Sequence, residues 1–467
     1  MTGRSPAEPG IPFLQLAALL IGTVLNPINS SLIATALTPI GRDLRIGADQ
    51  TAWLVSSLYL VAAVGQPLMG RLADLIGPRR VFMFGLVTAA VGGVVGGLAP
   101  SIGWLILARM LIGLGTSAGY PSAMTVLSLT ARRSGVPTPR PVLAAITVAG
   151  QVLAVLGPTL GGLMVGSLGW RAVFWVNVPV TALGLLLAAA HLPRDRQGPP
   201  PSRSDLLKRV DVPGVALFAV ELSALLLFLM HLRSGPLYGW LVLALLSLTT
   251  LLMVERRRQG AFIDVRMLRR NTPLLLTYAR FALTALITYS VFYGLPQWLQ
   301  EARGFTPVQT GLILLPTSLV SIVTTLLVSR RPRVSVRTML LLGATLTVVG
   351  IGLFALVAHH PQLWLLLSAA LVLGMPWGLN NLGNQQALSL QVPRDGAGSA
   401  AGLYRTAGYL GSILSSSAIG FTYSPSATTA GFGELCWLLL GVSALLLLVT
   451  FRSASATRSP SAPDRAS

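Results

Sequence analysis

The chain has 467 residues, of which 53% are hydrophobic and only 10% are charged, and its formal net charge is +20. A soluble domain carries about 25% charged residues, so this composition excludes an ordinary soluble domain and predicts an integral membrane protein. A charge of this size is also seen in nucleic-acid binders. Here the basic residues concentrate in loops on one predicted side of the membrane, which is an orientation signal. Basic loops beside anionic lipid explain the charge, and we expect no nucleic-acid partner.

Residues that bind metals or carry out catalysis are sparse. Cys436 is the single cysteine, so the chain has no internal disulfide and no CxxC metal site. The four histidines lie near the ends of apolar runs without the spacing of metal ligands. No Ser/His/Asp or His/Glu constellation is visible, so we expect no cofactor, no metal and no enzymatic activity.

Apolar runs long enough to cross a hydrocarbon core, which takes about 20 helical residues, fill the N-terminal bundle 12–192. The six predicted spans lie at 12–37, 53–70, 81–99, 102–127, 141–166 and 172–192. The tail 1–11 precedes a run that is too long for the apolar region of a signal peptide, which predicts an uncleaved first span. A polar linker with three consecutive prolines, 193–211, then separates the two halves.

The second half begins with an additional pair of spans, 212–254, followed by an arginine-rich loop, 255–273. The additional spans lie at 212–232 and 235–254, and six more lie at 274–299, 308–329, 338–358, 363–388, 397–423 and 431–451. These six form a C-terminal bundle, 274–451, and the tail 452–467 has a composition typical of disorder. The predicted fold is all-α, with two six-helix bundles, an inserted helix pair and fourteen transmembrane helices. An even number places both termini on the basic, cytoplasmic side.

An internal repeat supports this division. Gly113 and Arg133, with Leu-Ser-Leu between them, recur as Gly374 and Arg394, again with Leu-Ser-Leu between them, at a constant offset of 261 residues. Transporters are often built from such repeats. The match predicts that the fourth and twelfth spans are equivalent and that spans seven and eight are an insertion.

The loop between spans two and three reads Gly-Arg-Leu-Ala-Asp-Leu-Ile-Gly-Pro-Arg-Arg from Gly70 to Arg80. So short a link forces a helical hairpin, and its three arginines mark the cytoplasmic face. Gly70 and Gly77 suit tight turning, and Asp74 is the only acid available to pair with Arg79 and Arg80. We interpret the loop as a gating latch; the alternative is a basic turn that only sets topology.

This loop resembles the loop between helices two and three of the major facilitator superfamily. The matching residues are Gly70, Leu72, Ala73, Asp74, Gly77, Arg79 and Arg80. The resemblance implies that the loop stabilises one of two alternating-access states. Leu75 and Pro78 stand where the family often has further basic residues, which implies a weaker latch. The order of six, two and six spans is similar to that of the fourteen-helix drug:proton antiporters of this superfamily.

Further motifs carry the same resemblance. Arg109, followed by two glycines, is similar to the family's Arg-x-x-x-Gly-x-Gly element, which implies a link to proton movement; the alternative is a structural donor to helix-end carbonyls. The Gly-Pro-x-x-Gly-Gly motif associated with exporters is matched at Gly157, Pro158, Gly161 and Gly162. The alternative for this motif is a general packing seam of small residues. Trp170 and Arg171 open a stretch similar to a further family signature with an anchoring role.

Polar residues within apolar spans define a candidate substrate cavity. The resemblance implies that spans one, four, nine and twelve line it, and the candidates are Asn26, Asn29, Ser30, Arg109, Tyr289, Asn380, Asn381 and Asn384. Interhelical hydrogen bonding alone is the alternative for these amides. The stretch from Asn26 to Ser31 interrupts the first apolar run, so we expect a half-unwound helix there.

Proton coupling is the open point. The family usually has an Asp where this chain has Asn26, which cannot titrate, so the proton candidates by elimination are Asp74, Glu221 and Glu301. We predict a monomeric plasma-membrane transporter that exports drugs or amphipathic metabolites, anions among them, by proton antiport. A facilitator or differently coupled carrier is the first alternative, and a membrane sensor or scaffold the second.

Overall fold

A computed structural model describes residues 12–134, 140–195, 210–232, 235, 237–257, 271–331, 334–360, 362–391 and 397–456. Within these ranges the regular structure is helical and no strand occurs, which confirms the predicted all-α fold. The N-terminal tail, most of the linker 193–211, most of the loop 255–273 and most of the C-terminal tail lie outside the described residues.

The N-terminal half contains nine α-helices within the described residues. They are α1 Phe13–Leu32, α2 Leu37–Leu44, α3 Ala48–Ile76, α4 Pro78–Gly97, α5 Ile102–Ser117, α6 Gly119–Ser134, α7 Arg140–Leu168, α8 Ala172–Trp175 and α9 Asn177–His191. A 3₁₀ turn, Ile33–Thr35, joins α1 to α2. Gly77 ends α3 with a φ of 106°, which a residue with a side chain rarely adopts. The predicted hairpin between spans two and three is therefore turned by a glycine.

The second half contributes eight α-helices to the described residues. They are α10 Val212–Met230, α11 Tyr238–Arg257, α12 Thr272–Glu301, α13 Pro307–Ser329, α14 Val336–His359, α15 Leu363–Gln391, α16 Ala397–Thr422 and α17 Thr429–Ala456. The helices α10 and α11 pair with each other and lie in the range 212–254; that this pair is an insertion stays a prediction. We call the end of the molecule that carries Gly77 the inner end and the opposite end the outer end.

Twelve segments within the described residues are long and apolar enough to cross a membrane. A thirteenth is the bent pair Val148–Ala154 and Leu156–Leu168 within α7, whose two parts differ in direction by 47°. The helix α16 is 26 residues long, yet it is not one of the twelve, since Ser, Gly and Thr dilute its apolar residues. The count of fourteen spans therefore stays a prediction.

The first helix differs from the expected half-unwound form. It runs without a break through Asn26 and Pro27 to Leu32. The reason is local: the hydroxyl of Ser30 donates to the Asn26 carbonyl, and the hydroxyl of Ser31 donates to the Pro27 carbonyl at 2.7 Å. These polar side chains bond to their own helix one turn back, so the polar stretch does not need to unwind.

The two halves repeat one packing scheme. In the first, α1 packs on α7, and α5 packs on both α3 and α4; in the second, α12 packs on α16, and α15 packs on both α13 and α14. A Cβ added at Gly113 of α5 would lie 2.8 Å from the Leu58 carbonyl oxygen, and one at Gly374 of α15 would lie 2.5 Å from the Thr317 carbonyl oxygen. The residues that match at the 261-residue offset thus occupy corresponding close contacts, as expected for equivalent helices.

The bundles meet along two seams that the repeat also relates. The helix α3 packs along α16, and α7 packs along α13. The inserted helix α10 contacts both α3 and α16, so it lies across the first seam. Its apolar face contributes Phe218 and Leu222 to a cluster with Ala63 of α3 and Leu410 of α16.

The close contacts at Gly113 and Gly374 generate a stability prediction. We expect Gly113→Ala and Gly374→Ala each to lower the free energy of unfolding by about 1–3 kcal/mol, because the added methyl group meets backbone that cannot rotate away. The measurement is the thermal midpoint of the purified protein. Gly441→Ala is the control, since nothing lies within 4 Å of its added Cβ. Equal midpoints for all three variants would contradict the packing described.

Candidate functional site

Arg109 lies inside the N-terminal bundle and joins three helices. Its side chain is 1% exposed; Nε donates to the Leu54 carbonyl at 2.8 Å, and Nη1 donates to the Asn29 carbonyl at 2.9 Å. Asn29 lies in the last turn of α1, where carbonyls lack helical partners and favour a cation. The Nη2 atom of Arg109 is buried and makes no hydrogen bond within the described residues. This is the geometry of a structural donor, and a role for Arg109 in proton movement stays a prediction.

The amides of α1 point to different partners. The side chains of Asn29 and Asn177 bond reciprocally, at 2.6 and 2.9 Å, and join α1 to α9 within the bundle. Asn26 is half-buried and donates to the Thr116 hydroxyl at 3.1 Å. Ser30 faces the other bundle, where its carbonyl accepts a hydrogen bond from the Tyr293 hydroxyl at 2.7 Å. Of these predicted cavity residues, Ser30 alone has a hydrogen bond across to the C-terminal bundle within the described residues.

The C-terminal bundle also contains a buried arginine. Arg280 of α12 is 2% exposed, and its Nε donates to the Asn384 side-chain oxygen on α15 at 2.7 Å. Asn380 points instead toward α14, where it donates to the Thr347 hydroxyl at 3.4 Å. Asn381 is half-buried and accepts a hydrogen bond from Gln385 on its own helix. The three asparagines of α15 therefore bond in different directions, to α12, to α14 and within α15 itself.

A cluster of tyrosines, called here the tyrosine cluster, lies where the bundles meet and consists of Tyr59, Tyr289, Tyr293 and Tyr409. The hydroxyls of Tyr59 and Tyr293 lie 2.8 Å apart. The rings of Tyr289 and Tyr293 stack with centroids 5.8 Å apart, and the Tyr59 ring lies 5.3 Å from Tyr289 and 5.8 Å from Tyr409. Only Tyr289 was a predicted site residue. The sequence signal that could have identified the others was a tyrosine within an apolar span, because a buried hydroxyl usually has a hydrogen-bond partner.

The outer ends of the bundles are joined by further hydrogen bonds. Gln300 of α12 donates to the Thr35 carbonyl at 3.2 Å, and Arg42 donates to the Gln300 carbonyl at 2.8 Å. One carboxylate oxygen of Glu301 accepts from the Thr38 hydroxyl at 3.2 Å, and the other accepts from the Ala427 backbone N–H at 2.7 Å. The bond to Ala427 lies within the C-terminal bundle; the other three, together with the bond between Tyr293 and Ser30, hold the outer end closed.

The predicted gating loop has different partners from those expected. Asp74 is exposed and accepts a hydrogen bond from the Thr125 hydroxyl at 3.2 Å. No ion pair joins it to Arg79 or Arg80, all three being described residues. The backbone N–H groups of Arg79 and Arg80 donate instead to the carboxylate of Asp195, at 3.1 and 3.0 Å. An acid at this position stabilises the N-terminus of α4, and the sequence analysis missed it.

The glycine motif of α7 lies between α1 and the opposite bundle. A Cβ at Gly157 would overlap the side chain of Ser31, and one at Gly161 would lie 2.6 Å from the Leu32 carbonyl oxygen. On the other face, a Cβ at Gly162 would overlap the Pro307 carbonyl of α13. The same stretch, which includes Pro158, therefore permits close packing on two sides, one of them a seam between the bundles.

Trp170 and Arg171 share a carboxylate at the outer end. The Trp170 indole N–H donates to Asp43 at 3.0 Å, the Arg171 guanidinium pairs with the same oxygen at 3.1 Å, and it also lies 4.1 Å from the Trp170 ring centroid. The hydrogen bonds from Trp170 and Arg171 lower the pKa of Asp43 from its ordinary value. This contact links α2 to the start of the sixth span and agrees with the predicted anchoring role.

Two pseudo-symmetric helical bundles, with polar residues gathered between them, define the molecule as a multi-pass membrane transporter. The chain belongs to the Major Facilitator Superfamily, whose family model matches residues 19–416. The recognition made from the loop between spans two and three is thereby confirmed at the level of the superfamily.

The proteins with similar sequences include a multidrug resistance protein. The chain is 33% identical over 452 residues to the uncharacterized MFS-type transporter YwoD of Bacillus subtilis, covering 95% of this chain and 98% of that protein. It is 31% identical over 428 residues to the multidrug resistance protein Stp of Mycobacterium tuberculosis, covering 87% and 75%. Among solved structures, a peptide transporter POT matches with a TM-score of 0.68 at 16% identity, covering 94% of this chain and 95% of that one. This last likeness shows the fold alone.

The Asp43 contact generates a prediction on pH. Because the pKa of Asp43 is lowered in the folded protein, its stabilising contribution is present above the unfolded pKa of about 3.9 and is lost as pH falls through the folded value. We expect Asp43→Asn to lower the thermal midpoint at pH 7 and to differ progressively less from the parent as pH falls below 4. Arg171→Gln tests the same contact, and the double variant should lose less than the sum of the two. A constant difference from pH 7 to 3 would contradict the assignment.

Proposed function

We propose that the protein exports small amphipathic compounds from the cell by alternating access, driven by proton antiport. The closed outer end is the observation that carries this proposal. The contacts there are a small set of hydrogen bonds between two bundles, and a limited rotation of the bundles would break them together. Relatives that are drug resistance or export proteins support export as the direction of transport, as does the glycine motif of α7.

The alternating motion would use the two seams as its contact lines. Small residues at Gly157, Gly161 and Gly162 bring the backbones of α1, α7 and α13 close together, so the helices can pivot with little change in side-chain packing. The tyrosine cluster and Ser30 would close the cavity on its outer side. The loop from Gly70 to Arg80 would stabilise the opposite state, in which the inner ends approach each other.

Glu221 is the proton candidate that the geometry favours. Glu301 already accepts two hydrogen bonds at the outer end, and Asp74 is exposed at the inner end. Glu221 is 9% exposed and lies within α10, one turn from Phe218 and next to Leu222 on the side that packs against α3 and α16. A charged carboxylate is costly at such a position, so proton uptake and release there would be coupled to a change of surroundings. A rotation of α3 against α16 supplies that change.

The second candidate function is facilitated transport without proton coupling. The observation that favours it is the side chain at position 26, which is an amide bonded to Thr116 where the family usually has an acid. Arg109, nearby on α5, bonds to carbonyl oxygens rather than to a carboxylate. In this case Glu221 would be a structural residue of the inserted pair.

The arginine-rich loops support a plasma-membrane location with both termini in the cytoplasm. The substrate would bind between the bundles of a single chain, so a monomer is sufficient. The domain boundaries at 193–211, 212–254 and 255–273 remain as predicted from the sequence.

Transport measurements in inverted membrane vesicles test these two functions. With a panel of toxic amphipathic dyes, we expect uphill accumulation that collapses when an uncoupler dissipates the proton gradient. Glu221→Gln should lower uphill accumulation at least tenfold while downhill equilibration persists, because the cavity is intact and the titrating group is lost. Glu434→Gln is the control, since Glu434 is exposed at the start of α17. Accumulation by Glu221→Gln at the parental level would remove this residue from the mechanism, and transport that is indifferent to the uncoupler would favour the facilitator.

A further inference from the structure

Arg405 of α16 makes a contact that crosses between the bundles. Its guanidinium carbon lies 3.6 Å from the centroid of the Tyr120 ring on α6. Both side chains are half-buried, in contrast to Arg109 and Arg280, which are 1% and 2% exposed. Of Arg109, Arg280 and Arg405, Arg405 is therefore the one that a solute between the bundles could reach.

The neighbours of Arg405 leave its charge without a counter-ion. Besides Tyr120, it interacts with Tyr409, which also interacts with Gln66 of α3. None of these groups is an acid, and no ion pair involves Arg405 within the part of the chain that the structure describes. A charge held at membrane depth is costly and usually has a partner. The described residues give Arg405 aromatic and hydroxyl contacts but no anionic partner.

The acids of the two six-helix bundles also supply no counter-ion for Arg405 within the described residues. Within the described ranges of the two six-helix bundles, the acids lie at the outer end or the inner end, at Asp43, Asp49, Asp74, Asp195, Glu301 and Glu434. Glu221 belongs to the inserted helix α10. Arg405 therefore has no counter-ion among the described acids of the two six-helix bundles.

The surroundings of this charge are aromatic. Tyr409 belongs to the tyrosine cluster, its ring centroid lying 5.8 Å from that of Tyr59, and Tyr289 of the same cluster is half-buried. A guanidinium can stack on an aromatic face and at the same time offer its planar N–H edge to a carboxylate or sulfonate. Tyrosine rings accept a further aromatic ring by offset or edge contacts.

We propose that Arg405, together with Tyr120 and Tyr409, forms a subsite for the acidic group of an aromatic substrate. The substrate class is a planar aromatic compound with one carboxylate or sulfonate. The ring would lie against the tyrosines, and the anion would bind the guanidinium edge. This inference rests on the proposed function and narrows its substrate class, since aromatic cations of the same shape would be disfavoured.

Binding of three matched probes to the purified protein in lipid nanodiscs tests the subsite. The probes are 2-naphthoate, 2-naphthamide and 2-naphthylmethylammonium, which share one ring system and differ in charge. We expect the parent to bind naphthoate at least tenfold more tightly than the ammonium. Arg405→Gln should weaken naphthoate binding about tenfold and leave naphthamide within twofold, and Arg405→Lys should recover part of the loss. Tyr120→Leu should weaken all three, because it removes a ring contact.

Arg303→Gln is the matched control, because Arg303 also lies near an aromatic ring, 5.6 Å from that of Trp298, but at the outer end. It should leave all three affinities unchanged. Thermal midpoints of each variant show whether it is folded, and Arg405→Lys keeps the test decisive if Arg405→Gln is unstable. An unchanged ratio of naphthoate to naphthamide affinity in the folded Arg405 variants would overturn the proposal, as would no binding of naphthoate to the parent.

The outcomes also separate this inference from the proposed function. Proton-dependent export of cationic dyes without naphthoate binding would overturn the subsite and leave the exporter standing. Naphthoate binding that depends on Arg405, in a protein that transports none of the compounds tested, would support the subsite and overturn the exporter.

Discussion

A guanidinium buried at membrane depth must find its hydrogen-bond acceptors within the protein, because hydrocarbon offers none. Among the residues whose burial the structure describes, each bundle contains one such group. Arg109 is satisfied by carbonyl oxygens of α1 and α3, and Arg280 by the side chain of Asn384 on α15 and by Thr277 one turn away on α12. These bonds fix the mutual position of helices that apolar contacts alone would leave free to slide, since lipid and Leu side chains are equally apolar. Arg109 thereby joins α1, α3 and α5, and Arg280 joins α12 to α15.

The helix α10 lies outside the packing scheme that the two halves share. It contacts one helix from each bundle, so any rotation of the bundles must change its contacts. Arg71, at the inner end of α3, donates to the Val210 carbonyl just before α10, which ties the insertion to the N-terminal half at that end. Glu221 on α10 therefore lies beside the seam between α3 and α16.

The helices themselves were predictable because long apolar runs have no other stable form in a bilayer, and the short loop from Gly70 to Arg80 identified the superfamily. Contacts between distant segments were not predictable. Asp195 and Arg80 are 115 residues apart in sequence, and no feature of either segment predicts contact with the other. The expected unwinding at Asn26 was wrong because the hydroxyls of Ser30 and Ser31 satisfy the carbonyls of their own helix. The pairing of Tyr59 with Tyr293 likewise needs the tertiary arrangement, since each tyrosine alone looks like an ordinary aromatic within a span.

Many acceptors in the bonds that join the outer ends are main-chain oxygens, those of Ser30, Thr35 and Gln300 among them. A main-chain oxygen survives any substitution at its own position, so half of each such bond cannot be lost by mutation of that residue. Side chains on the same turns can then change in evolution without loss of these acceptors. The contacts that join the two bundles at this end are therefore less sensitive to substitution than contacts between two side chains would be.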